Sequence, residues 1–217
     1  LQNGLGNVER IQDLLGDHPG GVLCGIAGGF GASVVGPGHA HHNGMAAINI
    51  AEAAGGKSER LDRVVEAWRS SGFTCDPYDD IWPVVWSKLN ANIAVSACCA
   101  LFGLRTGEVK ANEYAWSLSK ACVLEASACA AAKGIKLLYD DPVEWVSNFV
   151  DQMPAARPSM YQDVMLGRRS EIGTIHGGVV DEGRKLGVPT PACEFMVTAV
   201  RALEEKNRQQ GDAYQRS

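Results

Sequence analysis

The sequence lacks three features that mark large classes of protein: a basic excess, a long uninterrupted apolar run and a regular cysteine framework. Its 217 residues carry a formal net charge of −5, whereas nucleic-acid-binding surfaces usually show an excess of basic residues. No uninterrupted apolar stretch approaches the roughly 20 residues that cross a bilayer, and no signal-peptide pattern opens the chain. These absences favour a soluble, cytoplasmic protein that binds neither nucleic acid nor membranes.

The cysteines argue against both disulfides and structural zinc. There are seven, an odd number, and no two of them form a C-x-x-C pair. Four lie in alanine-rich stretches that are predicted to be helical, where a reduced cysteine acts as a small apolar side chain: Cys98, Cys99, Cys122 and Cys129. We therefore expect reduced thiols and a reducing compartment.

The first residues of the chain resemble a segment from the middle of a longer sequence. It begins with Leu1-Gln2-Asn3-Gly4 and has no initiator methionine. An Asn-Gly pair is typical of a turn that follows a strand, and here that strand would be missing. We therefore expect that the chain is a fragment of a longer protein.

The first 78 residues are glycine-rich and alternate short apolar runs with helical stretches. Strands are predicted at residues 21–27, 32–35, 46–50 and 73–75, and helices at residues 8–15 and 58–71. Strands that alternate with helices are typical of an α/β sheet. We therefore expect residues 1–78 to form part of such a sheet.

From residue 79 onward the sequence is helical. Four helices are predicted, at residues 81–102, 113–133, 142–153 and 191–209. Gly134 gives the second helix a C-terminal stop. Asp141 and Pro142 combine an N-cap with a proline at the first helical position. We expect an all-helical domain over residues 79–217.

Three segments resemble known motifs, but none of them matches its motif in full. Ala51 occupies the first glycine position of a P-loop pattern. Glu9 occupies the third glycine position of a dinucleotide fingerprint, and no strand precedes that segment. His39 and His41 would share one face of a strand, but no acidic or cysteine ligand lies near them in the sequence. We therefore expect neither a phosphate loop nor a metal site.

One predicted helix carries a row of polar residues whose functional groups suit ligand binding and proton transfer. Lys88, Asn92 and Ser96 are spaced i, i+4 and i+8, so they share one helix face. A cation, an amide and a hydroxyl in a row can bind an anion and a carbonyl group. A partly desolvated lysine has a lowered pKa and can donate a proton near neutral pH. The alternative is that the row is a stripe of polar side chains exposed to solvent, which is the more common case for helices.

A second segment adds a hydroxyl and a carboxylate. Glu171 precedes an apolar, glycine-rich stretch in which Gly177 and Gly178 allow another backbone to approach closely. We therefore expect the Glu171 carboxylate near the core of the helical domain. The alternatives are a surface position for Glu171 and a simple N-cap role for Ser159.

Four motifs, in order along the chain, resemble those of the ketopantoate reductase family. They are Gln2-Asn3-Gly4, Trp86-Ser87-Lys88 with Asn92, Ser159-Met160 with Asp163 and Glu171-Ile172, and Gly187-Val188-Pro189-Thr190-Pro191. The resemblance implies a partial Rossmann-type α/β unit over residues 1–78. It also implies an all-α helical bundle, similar to the C-terminal domain of 6-phosphogluconate dehydrogenase, over residues 79–217.

The resemblance implies roles for individual residues of the helical domain. Lys88 matches the lysine that binds substrate and protonates its carbonyl oxygen, and Glu171 matches a catalytic acid at the junction of cofactor and substrate. Asn92 and Ser159 match substrate-binding residues, with Ser159 on the substrate carboxylate. Ser96 replaces an asparagine that many members carry, so this substrate contact is altered.

The resemblance further implies NADPH-dependent reduction of a 2-oxo acid, of the type that converts 2-dehydropantoate to pantoate in pantothenate biosynthesis. Asn3 matches a turn residue beside the nicotinamide ribose and the substrate, and Ala32 matches a small residue at the cofactor edge. Members of the family begin with a G-x-G-x-x-G segment that this sequence lacks. We therefore expect a truncated chain that would bind NADP(H) mostly through a segment absent from it.

Two other functions fit the same sequence. One is a non-catalytic helical module for dimerisation or binding, and a homodimer through the helical domain is a possible assembly. The other is a sister reductase for a different 2-oxo acid, which the Ser96 replacement allows.

Overall fold

A computed structural model describes residues 1–16, 21–29, 31–44 and 47–215. The chain divides into two compact units, Leu1–Val85 and Trp86–Ser217. The division falls within the first turns of one long helix, whereas the sequence analysis sets its domain boundary at residue 78.

The described residues of the first unit form two helices and five strands: α1 (Asn7–Leu15), β1 (Leu23–Gly28), β2 (Gly31–Gly36), β3 (His39–Gly44), β4 (Ala47–Glu52), α2 (Glu59–Ser70) and β5 (Cys75–Pro77). Both predicted helices are therefore confirmed to within one residue. The strand predicted at residues 73–75 is displaced, because β5 begins only at Cys75. The predicted strand at residues 46–50 begins at Ala46, which lies outside the described residues.

Three of the strands form a small mixed sheet in the order β1-β4-β5. β4 pairs antiparallel with β1 and parallel with β5, and α2 packs against both β4 and β5. The core between helix and sheet is made of Ile48, Ile50, Leu61, Val65 and Cys75. Removal of this apolar surface from water is the main force that holds the unit together.

The P-loop-like residues form an ordinary turn and helix cap. Gly55 and Gly56 adopt positive φ angles of 81° and 82° after β4, a conformation that glycine adopts without strain. The Ser58 hydroxyl then caps α2 by accepting a hydrogen bond of 3.1 Å from the Leu61 amide. Glu52, at the end of β4, accepts hydrogen bonds from Ser58 and Arg60. The segment is therefore fixed by its own side chains.

The remaining strands, β2 and β3, form a separate antiparallel hairpin. Its register pairs Ala32 with His42 and Ser33 with His41. Val34 and Val35 on β2 are largely exposed, so this hairpin contributes little to the core of the unit.

The described residues of the second unit, up to residue 215, form helices and no strands. Its elements are α3 (Trp82–Phe102), α4 (Thr106–Ala111), α5 (Glu113–Ala132), α6 (Pro142–Gln152), α7 (Ser159–Met165), a 3-10 turn (Glu171–Gly173), α8 (His176–Leu186) and α9 (Pro191–Gln215). The predicted fold class, a short α/β unit followed by an all-helical domain, is confirmed. No prediction covers α4, whose six residues are too few to show a periodic pattern.

Helix ends follow the local signals in the sequence. The Asp141 carboxylate accepts hydrogen bonds of 2.8 and 3.0 Å from the Val143 and Glu144 amides at the start of α6. Gly134 takes a φ of 77° just after α5, and its amide donates to the carbonyl of Ala131 at 3.0 Å. These caps satisfy backbone groups that would otherwise be unpaired.

Helix α5 is central to the second unit, because it packs against α4, α6, α8 and α9. Residues of α3 that lie beside the polar row are fully packed, with Leu89, Ile93 and Ala97 at most 2% exposed. This confirms the prediction that they pack inward beside Lys88.

Helix α3 is long and apolar enough, by length and composition, to cross a membrane. However, 83% of its apolar window is buried within the structure. The core helix of a water-soluble domain satisfies the same criterion, so this helix alone does not argue for a membrane span.

Candidate functional site

The predicted polar row lies on α3 and is not a solvated stripe. Lys88 and Asn92 are partly buried, and Ser96 is only 2% exposed. Polar side chains are rarely buried unless they are bonded or functional. The solvated-stripe alternative therefore does not describe this face of the helix.

Lys88 and Glu171 interact electrostatically within the second unit. Burial lowers the pKa of the Lys88 ammonium below its ordinary value, and the negative charge of Glu171 partly opposes that effect. A half-buried lysine next to a carboxylate has the two properties that proton transfer requires, a lowered pKa and a fixed orientation.

A dedicated set of bonds holds the segment that carries Glu171. The Ser170 amide and hydroxyl both donate to the Glu204 carboxylate of α9, at 2.8 and 2.6 Å. The carbonyl of Glu171 accepts from the Thr174 and Ile175 amides, which closes the 3-10 turn. Glu171 itself is partly buried, so the prediction of a carboxylate near the domain core is confirmed.

The opposite face of α3 is anchored by a second group of polar side chains. Asn90 is fully buried and its Nδ2 donates to the Ser127 hydroxyl at 2.9 Å and to the Tyr139 hydroxyl at 2.8 Å. The Ser87 hydroxyl accepts from the Leu138 amide at 3.0 Å. Burial raises the pKa of Tyr139 to about 12, so its hydroxyl remains protonated near neutral pH. These bonds fix the rotation of α3, and with it the direction of Lys88.

Ser159 is exposed at the first residue of α7, next to the fully buried Met160. It makes no capping hydrogen bond, since α7 begins after Pro158 without a side-chain cap. The N-cap alternative for Ser159 is therefore wrong.

The two predicted residues of the first unit lie on different elements. Asn3 is partly buried just before α1, in a turn where Gly4 and Gly6 take φ angles of 78° and 82°. Asn7 donates from its Nδ2 to the Asn3 carbonyl at 3.0 Å, which fixes this turn against the helix. Ala32 lies on the exposed hairpin and is itself exposed.

Two observations concern metals and cavities. Among the described residues, no group of three or more His, Cys, Asp and Glu side chains could hold a metal ion. An open cavity of about 530 Å³ lies at the far end of α3, between that helix, α7 and α9. None of the predicted site residues lines it.

Sequence reasoning missed one cluster, formed by Cys122, His176 and Cys193 from three different helices. All three side chains are fully buried. No local signal could have found the cluster, because its members are far apart in the sequence and each alone resembles a core residue.

Comparison with known proteins gives a consistent result for both units. The family model described as "Ketopantoate reductase PanE/ApbA C terminal" matches residues 80–204, and the model described as "Ketopantoate reductase PanE/ApbA" matches residues 1–55. A 2-dehydropantoate 2-reductase of Streptococcus pyogenes serotype M3 is 28% identical over 205 residues, which cover 94% of this chain and 66% of that protein. The chain thus spans slightly less than two thirds of that relative.

Solved structures show the same fold. A PanE/ApbA family ketopantoate reductase from Ralstonia eutropha JMP134 superposes with a TM-score of 0.84 at 28% identity, over 96% of this chain and 66% of that one. A D-mandelate dehydrogenase in complex with NADH and anilino(oxo)acetate superposes with a TM-score of 0.84 at 24% identity, over 96% of this chain and 67% of that one. The second likeness concerns the fold alone.

Proposed function

The chain belongs to the ketopantoate reductase family, and we propose that it reduces a 2-oxo acid with a nicotinamide cofactor. The proposed substrate is 2-dehydropantoate and the proposed product is pantoate, as the name of its relatives indicates. NADPH is the proposed cofactor, and the reaction would serve pantothenate biosynthesis. The observation that carries this proposal is the half-buried Lys88 with Glu171 beside it.

Lys88 is the proposed general acid. Reduction of a ketone builds negative charge on its oxygen, and an ammonium group close to that oxygen stabilises the charge and then donates a proton. Burial makes the Lys88 proton easier to donate, whereas the negative charge of Glu171 moves the pKa of the amine back toward its ordinary value. The two effects together set the acidity of Lys88 in a site that excludes much of the water.

The other polar side chains bind and orient the substrate in this proposal. Asn92, one turn from Lys88, donates to a polar group of the bound acid. The exposed hydroxyl of Ser159 binds the carboxylate. Ser96 is short and buried, so it leaves more room than an asparagine would and contributes to the choice among 2-oxo acids.

Asn3 and Ala32 are the proposed cofactor contacts of the first unit, and Glu171 is the proposed cofactor contact of the second unit. A bound nicotinamide cofactor supplies the hydride. The turn that contains Asn3 fits a nucleotide, because Gly4 and Gly6 present backbone without side chains and Asn3 offers an amide for a ribose hydroxyl. The described residues include no glycine-rich loop of the dinucleotide type, so the phosphates require groups beyond these two contacts.

The proposal extends to assembly, domains and compartment. Residues 79–217 form the substrate domain, residues 1–78 belong to the dinucleotide-binding domain, and the helical domain forms a homodimer. All seven cysteines are free thiols and buried, as expected in a reducing compartment. We therefore place the protein in the cytoplasm.

The test is the consumption of NADPH, followed by absorbance, with 2-dehydropantoate as substrate. Lys88→Ala should lower kcat roughly 100-fold or more, whereas Lys136→Ala, which removes an exposed lysine of the same unit, should leave it unchanged. Equal rates in the two variants would contradict the role of Lys88. The same assay with several 2-oxo acids tests the sister-reductase alternative. A higher rate with another 2-oxo acid than with 2-dehydropantoate would favour that alternative, and a higher rate with 2-dehydropantoate would favour the proposal.

If the chain by itself does not consume NADPH, binding of 2-dehydropantoate gives an independent readout. Titration calorimetry should detect binding to the unmodified chain and to Lys136→Ala, and weaker binding to Lys88→Ala. The absence of binding to the unmodified chain would argue against the substrate assignment.

A further inference from the structure

Three fully buried side chains from three helices meet in the second unit. They are Cys122 on α5, His176 at the start of α8 and Cys193 near the start of α9, each with no exposed surface. The three helices pack against one another. None of these residues belongs to the proposed reductase site.

The Cys193 thiol lies against the backbone of Cys122. Its Sγ donates to the Cys122 carbonyl oxygen at 3.8 Å, and each of the two thiols shifts the pKa of the other. The His176 imidazole lies beside the Cys122 thiol, yet neither of its ring nitrogens makes a well-directed hydrogen bond to a described residue. A buried polar ring without such a bond is rare in folded proteins.

This environment distinguishes Cys122 from the other cysteines of the chain. The hydrogen bond from Cys193 lowers the pKa of Cys122, and His176 lowers it further against the opposing effect of burial. The same bond raises the pKa of Cys193. By contrast, burial raises the pKa of both Cys98 and Cys99 to about 12. Cys122 is therefore the thiol that ionises first, with a protonated thiol already in contact.

Glu125 holds the second cysteine in place. Its carboxylate accepts hydrogen bonds from the Ala192 and Cys193 amides, at 2.8 and 2.9 Å, and so ties the first turn of α9 to α5 one turn beyond Cys122. The backbone of Cys193 is thereby fixed against α5 with its Sγ at the Cys122 carbonyl, and such proximity of two cysteines is a precondition for a disulfide.

We propose that Cys122 and Cys193 are a site of reversible oxidation, at which a small hydroperoxide such as hydrogen peroxide converts the two thiols to a disulfide. The Cys122 thiolate attacks one peroxide oxygen, so an S–O bond forms, the O–O bond breaks, and hydroxide takes up a proton to leave as water. The Cys193 sulfur then displaces the Cys122 sulfenic oxygen, which leaves as a second water with the Cys193 proton. The sulfur pair loses two electrons, the peroxide gains them, and a dithiol reductant reverses the reaction.

The buried position limits the rate of oxidation. Neither sulfur is exposed, so the peroxide reaches Cys122 only through a local opening of the packed helices. Oxidation is therefore slower than at a surface thiolate, and it favours Cys122 because the pKa of this thiol is lowered.

The test is peptide mapping of the full chain after exposure to hydrogen peroxide. The protein is quenched, unfolded and alkylated without reductant, then cleaved by trypsin and by a protease that cuts after glutamate, which separates Cys122 from Cys129 at Glu125. The expected product is a peptide pair joined through Cys122 and Cys193 that dithiothreitol releases, while the other five cysteines remain alkylated. Complete alkylation of Cys122 and Cys193, or disulfides spread over other cysteines, would overturn the proposal.

Single substitutions test the order of events. In Cys193→Ser, a sulfenic acid should accumulate on Cys122 and react with a 1,3-dione probe, whereas in Cys122→Ser the probe should not label Cys193. Cys129→Ser removes another fully buried thiol of α5 and should leave the yield of the disulfide unchanged. Equal labelling of Cys122 and Cys193 in the two variants would show that the cluster does not activate Cys122. These readouts do not depend on reductase activity.

Discussion

The carboxylate of Glu171 acts directly on the ammonium group of Lys88. Lys88 lies on α3 and Glu171 on the 3-10 turn before α8, so the pairing is made by tertiary packing alone. Burial lowers the pKa of Lys88, and the Glu171 charge moves it back upward. The pKa of Lys88 is therefore the balance of two opposing effects, burial and the charge of Glu171.

The first prediction concerns the cost of burying Lys88. Because its folded-state pKa lies below the ordinary value of 10.5, the unfolded state binds more protons between these two values, and stability rises with pH in that window. Lys88→Met removes the buried charge and should increase the free energy of unfolding at pH 7 by on the order of 1 kcal/mol. Urea unfolding at pH 7 and pH 10 measures this.

The difference between Lys88→Met and the unmodified chain should be smaller at pH 10, because part of the wild-type penalty is then relieved. A variant that is less stable than the unmodified chain at pH 7 would contradict the idea that function is gained here at the expense of stability.

A second prediction concerns the anchor of α3. Asn90→Ala removes both hydrogen bonds of the Asn90 amide and leaves the Tyr139 hydroxyl without its donor, so it should lower the free energy of unfolding by about 1–3 kcal/mol. Tyr139→Phe keeps the ring that stacks on Trp145 at 4.4 Å and should cost less. Urea unfolding of both single variants and the double variant measures their coupling; strictly additive effects would show that the two residues do not act together.

A third prediction uses two glycines of the same helix. A Cβ atom at Gly183 would lie 2.7 Å from the Val188 carbonyl oxygen and 2.7 Å from Thr190 Cγ2, so Gly183→Ala should destabilise the chain by about 1–3 kcal/mol. At Gly177 the nearest atom would be the Ile172 carbonyl oxygen at 3.4 Å, so Gly177→Ala should be tolerated. Thermal unfolding compares the two; equal losses would mean that close packing at Gly183 is not the cause.

A fourth prediction concerns pH and the first unit. The hydrogen bond from Arg60 is the main cause of the lowered pKa of Glu52, which lies below the ordinary value of 4.5. The resulting stabilisation is fully present above pH 4.5 and is lost as the pH falls through the folded-state pKa. Glu52→Gln should therefore lower the urea midpoint at pH 7, and its deficit should shrink at pH values below 4.5.

The matched control for that experiment is Glu59→Gln, which alters an exposed carboxylate at the start of α2, the helix that carries Arg60. It should change the midpoint little at either pH. If the urea midpoint of Glu52→Gln lies below that of the unmodified chain by the same amount at every pH, the cause is lost packing and not the lost charge.

Features set by neighbouring residues could be predicted from the sequence. The Asp141-Pro142 start of α6, the Gly134 stop after α5 and the face shared by Lys88 and Asn92 each depend on spacing within a few residues. The observed caps at 2.8 and 3.0 Å reproduce the expected chemistry at Asp141.

Features set by tertiary contacts could not be predicted. Ser159 has N-cap spacing, yet α7 begins without a side-chain cap, since cap spacing alone does not decide where a helix starts. Likewise, Cys122 has the sequence environment of an ordinary core residue, and only the packing of α5 against α8 and α9 brings His176 and Cys193 to it.

The most direct test of the account is the pKa of Lys88 itself. Acetylation of each lysine at a series of pH values, followed by mass spectrometry, should show Lys88 reacting at a lower pH than the exposed Lys136. Glu171→Gln should shift the Lys88 curve to still lower pH, whereas Glu144→Gln, which alters an exposed carboxylate of α6, should not. A Lys88 curve that coincides with that of Lys136, or that does not respond to Glu171→Gln, would contradict the central claim that this pair forms the acid of the site.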